Sequence, residues 1–187
     1  MNPRLRKSLQ VVVALIALLL VGVVTVDRSQ AAFSDTTSNT TNSFNAGTVV
    51  LTDDDAATAL FTASGMSPGS PVVECIELTY SGSITPADIR MYGTDTGVLS
   101  QYLDLTIEVG TGGTFGDCTL FAPATTIYTG TLDNFTATHT AWATGLATFT
   151  AAANPTLQVL RFTVDVQDNN AAQGQSATAG FTWEAQG

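Results

Sequence analysis

Apolar and polar side chains alternate one for one through much of this chain, and that period of two narrows its possible folds more than any other feature. Between Leu157 and Gln167, the side chains of Leu160, Phe162, Val164 and Val166 share one face, and Arg161, Thr163 and Asp165 share the other. The closing stretch repeats the pattern, with Ala179, Phe181, Trp183 and Ala185 set against Gly180, Thr182 and Glu184. The residues between, from Asp168 to Gly174, are rich in turn formers. Residues 157–187 therefore read as a β-hairpin. Ile76, Leu78 and Tyr80 alternate in the same way, as do Ile89 and Met91, and Leu105, Ile107 and Val109. Residues 48–51 and 59–63 are further short strand candidates. Thr suits the wet face of such a sheet, being β-branched and half polar. Residues 110–116 hold too many glycines for regular structure and read as a loop. Residues 131–143 are ambiguous and admit a short helix. Many short strands without alternating helices predict an all-β fold, an antiparallel β-sandwich of jelly-roll type. The sequence shows no internal repeat and no second domain.

The first 31 residues read differently. Arg4, Arg6 and Lys7 precede an apolar run over residues 11–24, and small residues follow at Ser29 and Ala31. A basic flank, an apolar centre and small residues before a cut make a secretory signal peptide, with cleavage expected between Ala31 and Ala32. A retained membrane anchor is the alternative, but the run falls short of the roughly 20 residues a bilayer needs. The expectation is a secreted protein, extracellular or at the cell surface, whose processed form does not span the membrane.

Charge supports few ligand classes. The whole chain has 16 acids against 6 bases, a formal net charge of −10, and only 12% charged residues. Residues 1–31 hold four of the bases (Arg4, Arg6, Lys7, Arg28) and one acid, Asp27. The remainder would keep fifteen acids and two bases, Arg90 and Arg161, for a net charge of −13. Such a surface lacks the clustered bases of a nucleic-acid binder. It also makes any self-association sensitive to salt and cations.

Cys75 and Cys118 are the two cysteines. In an oxidising compartment an even count favours a disulfide. The bridge would close a loop of about 44 residues, worth roughly 4 kcal/mol in the chain-entropy account. A free catalytic thiol is the competing reading, but a single His, His139, exists to activate it.

Other candidate chemistry is sparse. Gly65-Met66-Ser67-Pro68-Gly69 matches G-x-S-x-G, the nucleophile elbow of α/β-hydrolases. The residue after that nucleophile must give its backbone N–H to the oxyanion, and Pro68 has none. A Pro-Gly surface turn is the plainer reading. Asp53, Asp54 and Asp55, or Asp168 with Asn169 and Asn170, could meet a hard cation, but neither group has EF-hand spacing. They read as solvated acidic turns. His139 has no HExxH partner, so no metal site, cofactor or enzymatic activity is expected. Asn39 and Asn134 sit in N-x-Thr sequons. Trp142 and Trp183 read as core residues.

Residues 32–51 form a separate expectation. Almost everything between Phe33 and Phe44 is polar, with Thr but little apolar surface. Such an arm cannot build a core, yet could serve as an extended strand for another molecule. Phe33 and Phe44 differ in parity, so one regular strand cannot point both inward. Phe44 would then share a face with Ala46, Thr48 and Val50, and residues 52–187 would make the sandwich.

Three stretches resemble the TasA/camelysin family of exported fibre proteins. Ala31-Ala32-Phe33-Ser34-Asp35 followed by Phe44-Asn45-Ala46-Gly47-Thr48-Val49 resembles its signal-peptide junction and first strand. Met66-Ser67-Pro68-Gly69, with Tyr80-Ser81-Gly82-Ser83-Ile84 and Ala87-Asp88-Ile89-Arg90, resembles its middle motif, with Tyr80 where the family usually has Asn. Phe181-Thr182-Trp183-Glu184-Ala185 is similar to the last strand of related actinobacterial chains. The resemblance implies a jelly-roll sandwich, processing by a dedicated SipW-type signal peptidase, and head-to-tail self-assembly into biofilm-matrix fibres by donor-strand exchange. Some members carry a metallopeptidase label, and this sequence has no zinc motif for it. A monomeric secreted binding module or adhesin is the rival reading.

Overall fold

The computed structural model describes residues 47–187. The alternating segments become strands: β1 (Leu51–Asp53), β2 (Val72–Tyr80), β3 (Ala87–Thr96), β4 (Leu103–Thr111), β5 (Ala122–Thr131), β6 (Leu146–Ala151), β7 (Thr156–Val166) and β8 (Thr178–Gln186). One short helix, α1 (Leu132–Thr138), follows β5, where the Thr131 hydroxyl accepts a hydrogen bond from the Asn134 N–H and caps it. The strands form two antiparallel sheets, β1-β2-β7-β4-β5 and β6-β3-β8. Five of the seven strand-to-strand connections cross between the sheets, as in a jelly roll and unlike an up-and-down arrangement. The fold is thus the all-β sandwich that the alternation predicts.

The apolar rows explain why the sheets stack. Ile76, Leu78, Leu105, Ile107, Leu160 and Phe162 are buried on the inner face of the larger sheet. They meet Met91 and the half-buried Phe181 and Trp183 of the smaller one. Phe162 lies 5.1 Å from Phe181 and 6.3 Å from Trp183, ring centre to ring centre. Such tilted and edge-on pairs are favoured by the ring quadrupoles. Helix α1 plugs one end with Phe135, which is fully buried. Glycine at position 93 permits this, because a Cβ there would meet the Gly180 carbonyl at 2.8 Å and Phe135 at 3.2 Å.

The structure corrects the expected C-terminal hairpin. β7 pairs with β2 along one edge, from Val72↔Val164 to Tyr80↔Thr156, and with β4 along the other. No edge of β7 remains for β8, which instead pairs with β3 in the opposite sheet. The intervening residues 167–177 bridge the two layers through a 3-10 turn at Asn170–Ala172. Crossing puts Phe181 and Trp183 opposite Phe162, where their burial is worth most. Two smaller corrections concern short strands. Residues 59–63 form no strand, and regular pairing of the 48–51 segment begins only at Leu51. Of the glycine-rich stretch 110–116, Gly110 and Thr111 close β4, and the rest turns back through a Thr114↔Asp117 bridge.

That returning loop covers the outer face of the large sheet. The Cys75–Cys118 disulfide ties it to β2, with Cα atoms 5.4 Å apart. Asp54 accepts hydrogen bonds from the N–H groups of Glu77 and Phe115, at 2.8 and 2.7 Å, and so stitches the residue after β1 to both. Arg161 on β7 sits directly opposite Glu108 on β4 and donates to its carboxylate through Nε at 2.8 Å and Nη2 at 2.5 Å. Phe121 lies over the guanidinium at 4.7 Å. Both partners are mostly shielded from water, so removing one leaves a poorly solvated charge. Arg161→Met is expected to cost about 1–3 kcal/mol in urea unfolding. An unchanged midpoint would show that Glu108 is solvated without its partner.

Candidate functional site

No catalytic constellation emerges among the described residues. Ser67 is exposed in a Ser-Pro-Gly-Ser turn, closed by the Ser70 N–H on the Ser67 carbonyl at 3.1 Å. Gly69 takes φ +75° there, which fits a type II turn and not a strand-to-helix elbow. His139 ends α1, its Nδ1 2.7 Å from the Thr144 carbonyl and its ring packed on Phe135 and Tyr128. No group of three or more His, Cys, Asp or Glu side chains converges among the described residues. No helix among them is long and apolar enough to cross a membrane.

The acidic turns are occupied by their own backbone. Asp54 serves the two amides described above, and Asp55 Oδ1 accepts from the Ala57 N–H at 2.6 Å. Ala56 and Ala57 take φ +51° and +62°, a conformation costly for alanine that the turn holds in place. Asn169 likewise accepts from the Ala171 N–H at 2.9 Å. Partial burial pushes the Asp53 carboxyl above its usual range, and the neighbouring Asp55 and Asp54 push it the same way. A carboxyl whose folded pKa is raised binds its proton more tightly in the folded state. Its contribution to stability is fully present below its unfolded pKa and fades as pH rises through the folded one. Asp53→Asn should therefore raise the melting temperature slightly at pH 7, with the gain shrinking toward pH 4. Melting curves at the two pH values decide this, and a loss at pH 7 would contradict it.

One open margin of the sandwich lies along β8. β1 and β8 are edge strands of opposite sheets. Among the described residues, β8 pairs only with β3, so one side of its backbone hydrogen-bonding groups faces away from the sheet. Beside it lies a cleft of about 540 Å³. Its sandwich side includes Leu99, Val164, Phe181 and Trp183. Its other side is the irregular connection 54–71, which contributes Leu60, Phe61 and Met66. The indole Nε1–H of Trp183 is buried and has no hydrogen-bond partner among the described residues. Sequence reading did not find this cleft. The signal was there in Leu60, Phe61 and Met66, large apolar residues in a stretch, 56–71, otherwise made of Ala, Thr, Ser, Gly and Pro.

The proposed arm is only partly visible. Ala31, Ala32, Phe33, Phe44 and Ala46 lie outside the described residues. Thr48 and Val50 are engaged within the chain: the Ser83 N–H donates to the Thr48 carbonyl at 2.7 Å, and the Ser81 N–H to the Val50 carbonyl at 2.9 Å. The backbone from Thr48 thus runs beside its own chain and continues into β1, so the expected boundary at 51/52 falls within this edge strand.

A second cluster occupies the outer face of the small sheet. Arg90 lies under the Trp142 ring at 4.9 Å, and the Tyr92 hydroxyl donates to Glu184 at 3.0 Å. Trp142 is therefore half-buried on the surface, and only Trp183 of the two tryptophans packs against the core. Comparison with protein-family models and with curated proteins finds no match.

Proposed function

We propose that this chain is a secreted structural subunit that polymerises head-to-tail into fibres at the cell surface or in an extracellular matrix. In this reading the segment behind the leader peptide leaves its own subunit and pairs with a neighbour. The observation that carries it is the open β8 edge beside an apolar cleft, a pairing surface that invites another strand. The polar, Thr-rich arm from Phe33 to Phe44 supplies the kind of strand that needs a partner's apolar surface. The resemblance to TasA/camelysin proteins at Ala31–Asp35 and Phe44–Val49 points the same way. Donation from each copy to the next is heterologous and propagates as a filament. A dedicated signal peptidase would release the arm. No cofactor is needed.

Sedimentation of the secreted protein over rising concentration tests this. Fast-sedimenting polymer above a threshold concentration is the expected result, with the threshold falling as salt screens the acidic surface. A monomer at every concentration would contradict it. The outer-face cluster of Arg90, Trp142, Tyr92 and Glu184 favours a second reading, a monomeric binding module or adhesin. In that case Trp142→Ala would abolish attachment to cells and leave the protein monomeric. A protease of camelysin type would instead show chelator-sensitive casein hydrolysis.

A further inference from the structure

We propose that residues 60–66 act as an internal plug in the strand-acceptor slot beside β8, and that the arm of a second copy displaces them; this rests on the assembly reading above.

The connection 54–71 is hydrogen-bonded at its two ends and not in its middle. At the first end, Asp54 and Asp55 accept backbone hydrogen bonds, and the Thr58 N–H donates to the Asp55 carbonyl at 2.9 Å. At the other, the Gly69 N–H donates to Asp165 Oδ2 at 3.2 Å. Between them, residues 59–66 make no hydrogen bond to any described residue. What holds them is side-chain packing: Leu60, Phe61 and Met66 rest against the core, with Phe61 edge-on to Phe162 at 6.1 Å. The segment therefore covers apolar surface without satisfying the outward backbone groups of β8 or the indole N–H of Trp183. A strand inserted at the same place could pair with the outward backbone groups of β8 and bury apolar side chains as well. That difference is the driving force for exchange.

The occupant is set by where the described chain begins. Gly47 and Gly187 both lie against Ile84, so the described chain begins at the end of the sandwich where β8 finishes. Residues 51–53 are already paired with their own β2, and the Thr48 and Val50 carbonyls with the Ser83 and Ser81 N–H groups just past it. The donor is thereby confined to residues 32–46, with Phe44 as its apolar anchor. Thr48 and Val50 are not part of it.

Two measurements test the plug and the slot. Phe61→Ala removes the plug's largest side chain and should speed nucleation of fibres roughly tenfold, equivalent to about 1.4 kcal/mol of lost packing in the plugged state. Leu60→Ala should act in the same direction. If both variants fold and nucleate more slowly than wild type, residues 60–66 are part of the fibre core and the plug is overturned. For the slot, one chain carries Phe44→Cys and another Ala179→Cys, mixed, polymerised and oxidised. An intermolecular 44–179 link, recovered by mass spectrometry, is the expected product. Thr126→Cys on the exposed edge of β5 is the control. Fibres that link 44 to 126 as efficiently as to 179, or a double variant whose 44–179 link forms only within single chains, overturn the slot and leave assembly standing. Wild-type protein that never polymerises overturns the assembly reading and this proposal together.

Discussion

Replacing both cysteines, Cys75→Ala with Cys118→Ala, should lower stability by about 4 kcal/mol, or roughly 10–15 °C in melting temperature. The bridge joins positions separated by 43 residues, and cross-linking so long a loop removes much conformational freedom from the unfolded chain. Its folded-state role adds to this. Cys118 belongs to the loop that folds over the outer face of the large sheet, and the Gly116 N–H donates to the Cys75 carbonyl at 3.0 Å. Without the bridge that loop keeps this bond and the Asp54 bond to Phe115, but nothing covalent. Ala is the correct replacement because Cys75 is fully buried, where a serine hydroxyl would add its own desolvation cost. Thermal unfolding of the double variant against the oxidised parent decides the matter. Equal midpoints would mean that the unfolded chain gains little freedom from losing the link.

Phe44→Asp should raise the concentration needed for assembly about 100-fold or more, whereas Thr40→Asp should change it by less than about threefold. The two substitutions add the same charge to the same polar segment. They differ in what the charge would replace. In the donor-strand account Phe44 enters an apolar groove of the neighbour, so Asp there loses the burial of an aromatic ring and pays to desolvate a carboxylate. A hundredfold shift corresponds to about 2.7 kcal/mol, within the range for burying one such side chain. Thr40 lies among Ser, Asn and Thr, where an added carboxylate stays in water. Light-scattering onset over a concentration series gives both values. Equal shifts would reduce the effect to added negative charge on an already acidic surface.

The inner rows of the sandwich could be read directly from the sequence. Leu160, Phe162, Val164 and Val166 are all buried, as are Ile76, Leu78 and Tyr80, because a period of two reports which side of a strand faces the core. Residues 131–143 were ambiguous in the sequence and admitted a short helix, which the structure places at Leu132–Thr138. Pairing partners were not legible. Alternation says which face is dry but not which sheet holds the strand, and adjacency in sequence suggested that β7 and β8 form a hairpin. Both edges of β7 go instead to distant strands, β2 and β4, and no local signal carries that information. The cleft was hidden for a related reason. Leu60 and Phe61 read as part of a short strand at 59–63 but form none, and the packing of Phe61 on Phe162 links positions a hundred residues apart. The Cys75–Cys118 bridge, by contrast, needed only a count of two and the expectation of an oxidising compartment.

The assembly claim reduces to whether residues 32–44 are required for polymer and dispensable for folding. Electron microscopy of the chain from Ala32 onward, with and without those residues, measures this most directly, alongside circular dichroism of both. The account predicts fibres from the intact chain, and from the shortened chain a soluble β-rich monomer with no fibres. Fibres of normal yield and appearance from the shortened chain would contradict strand donation.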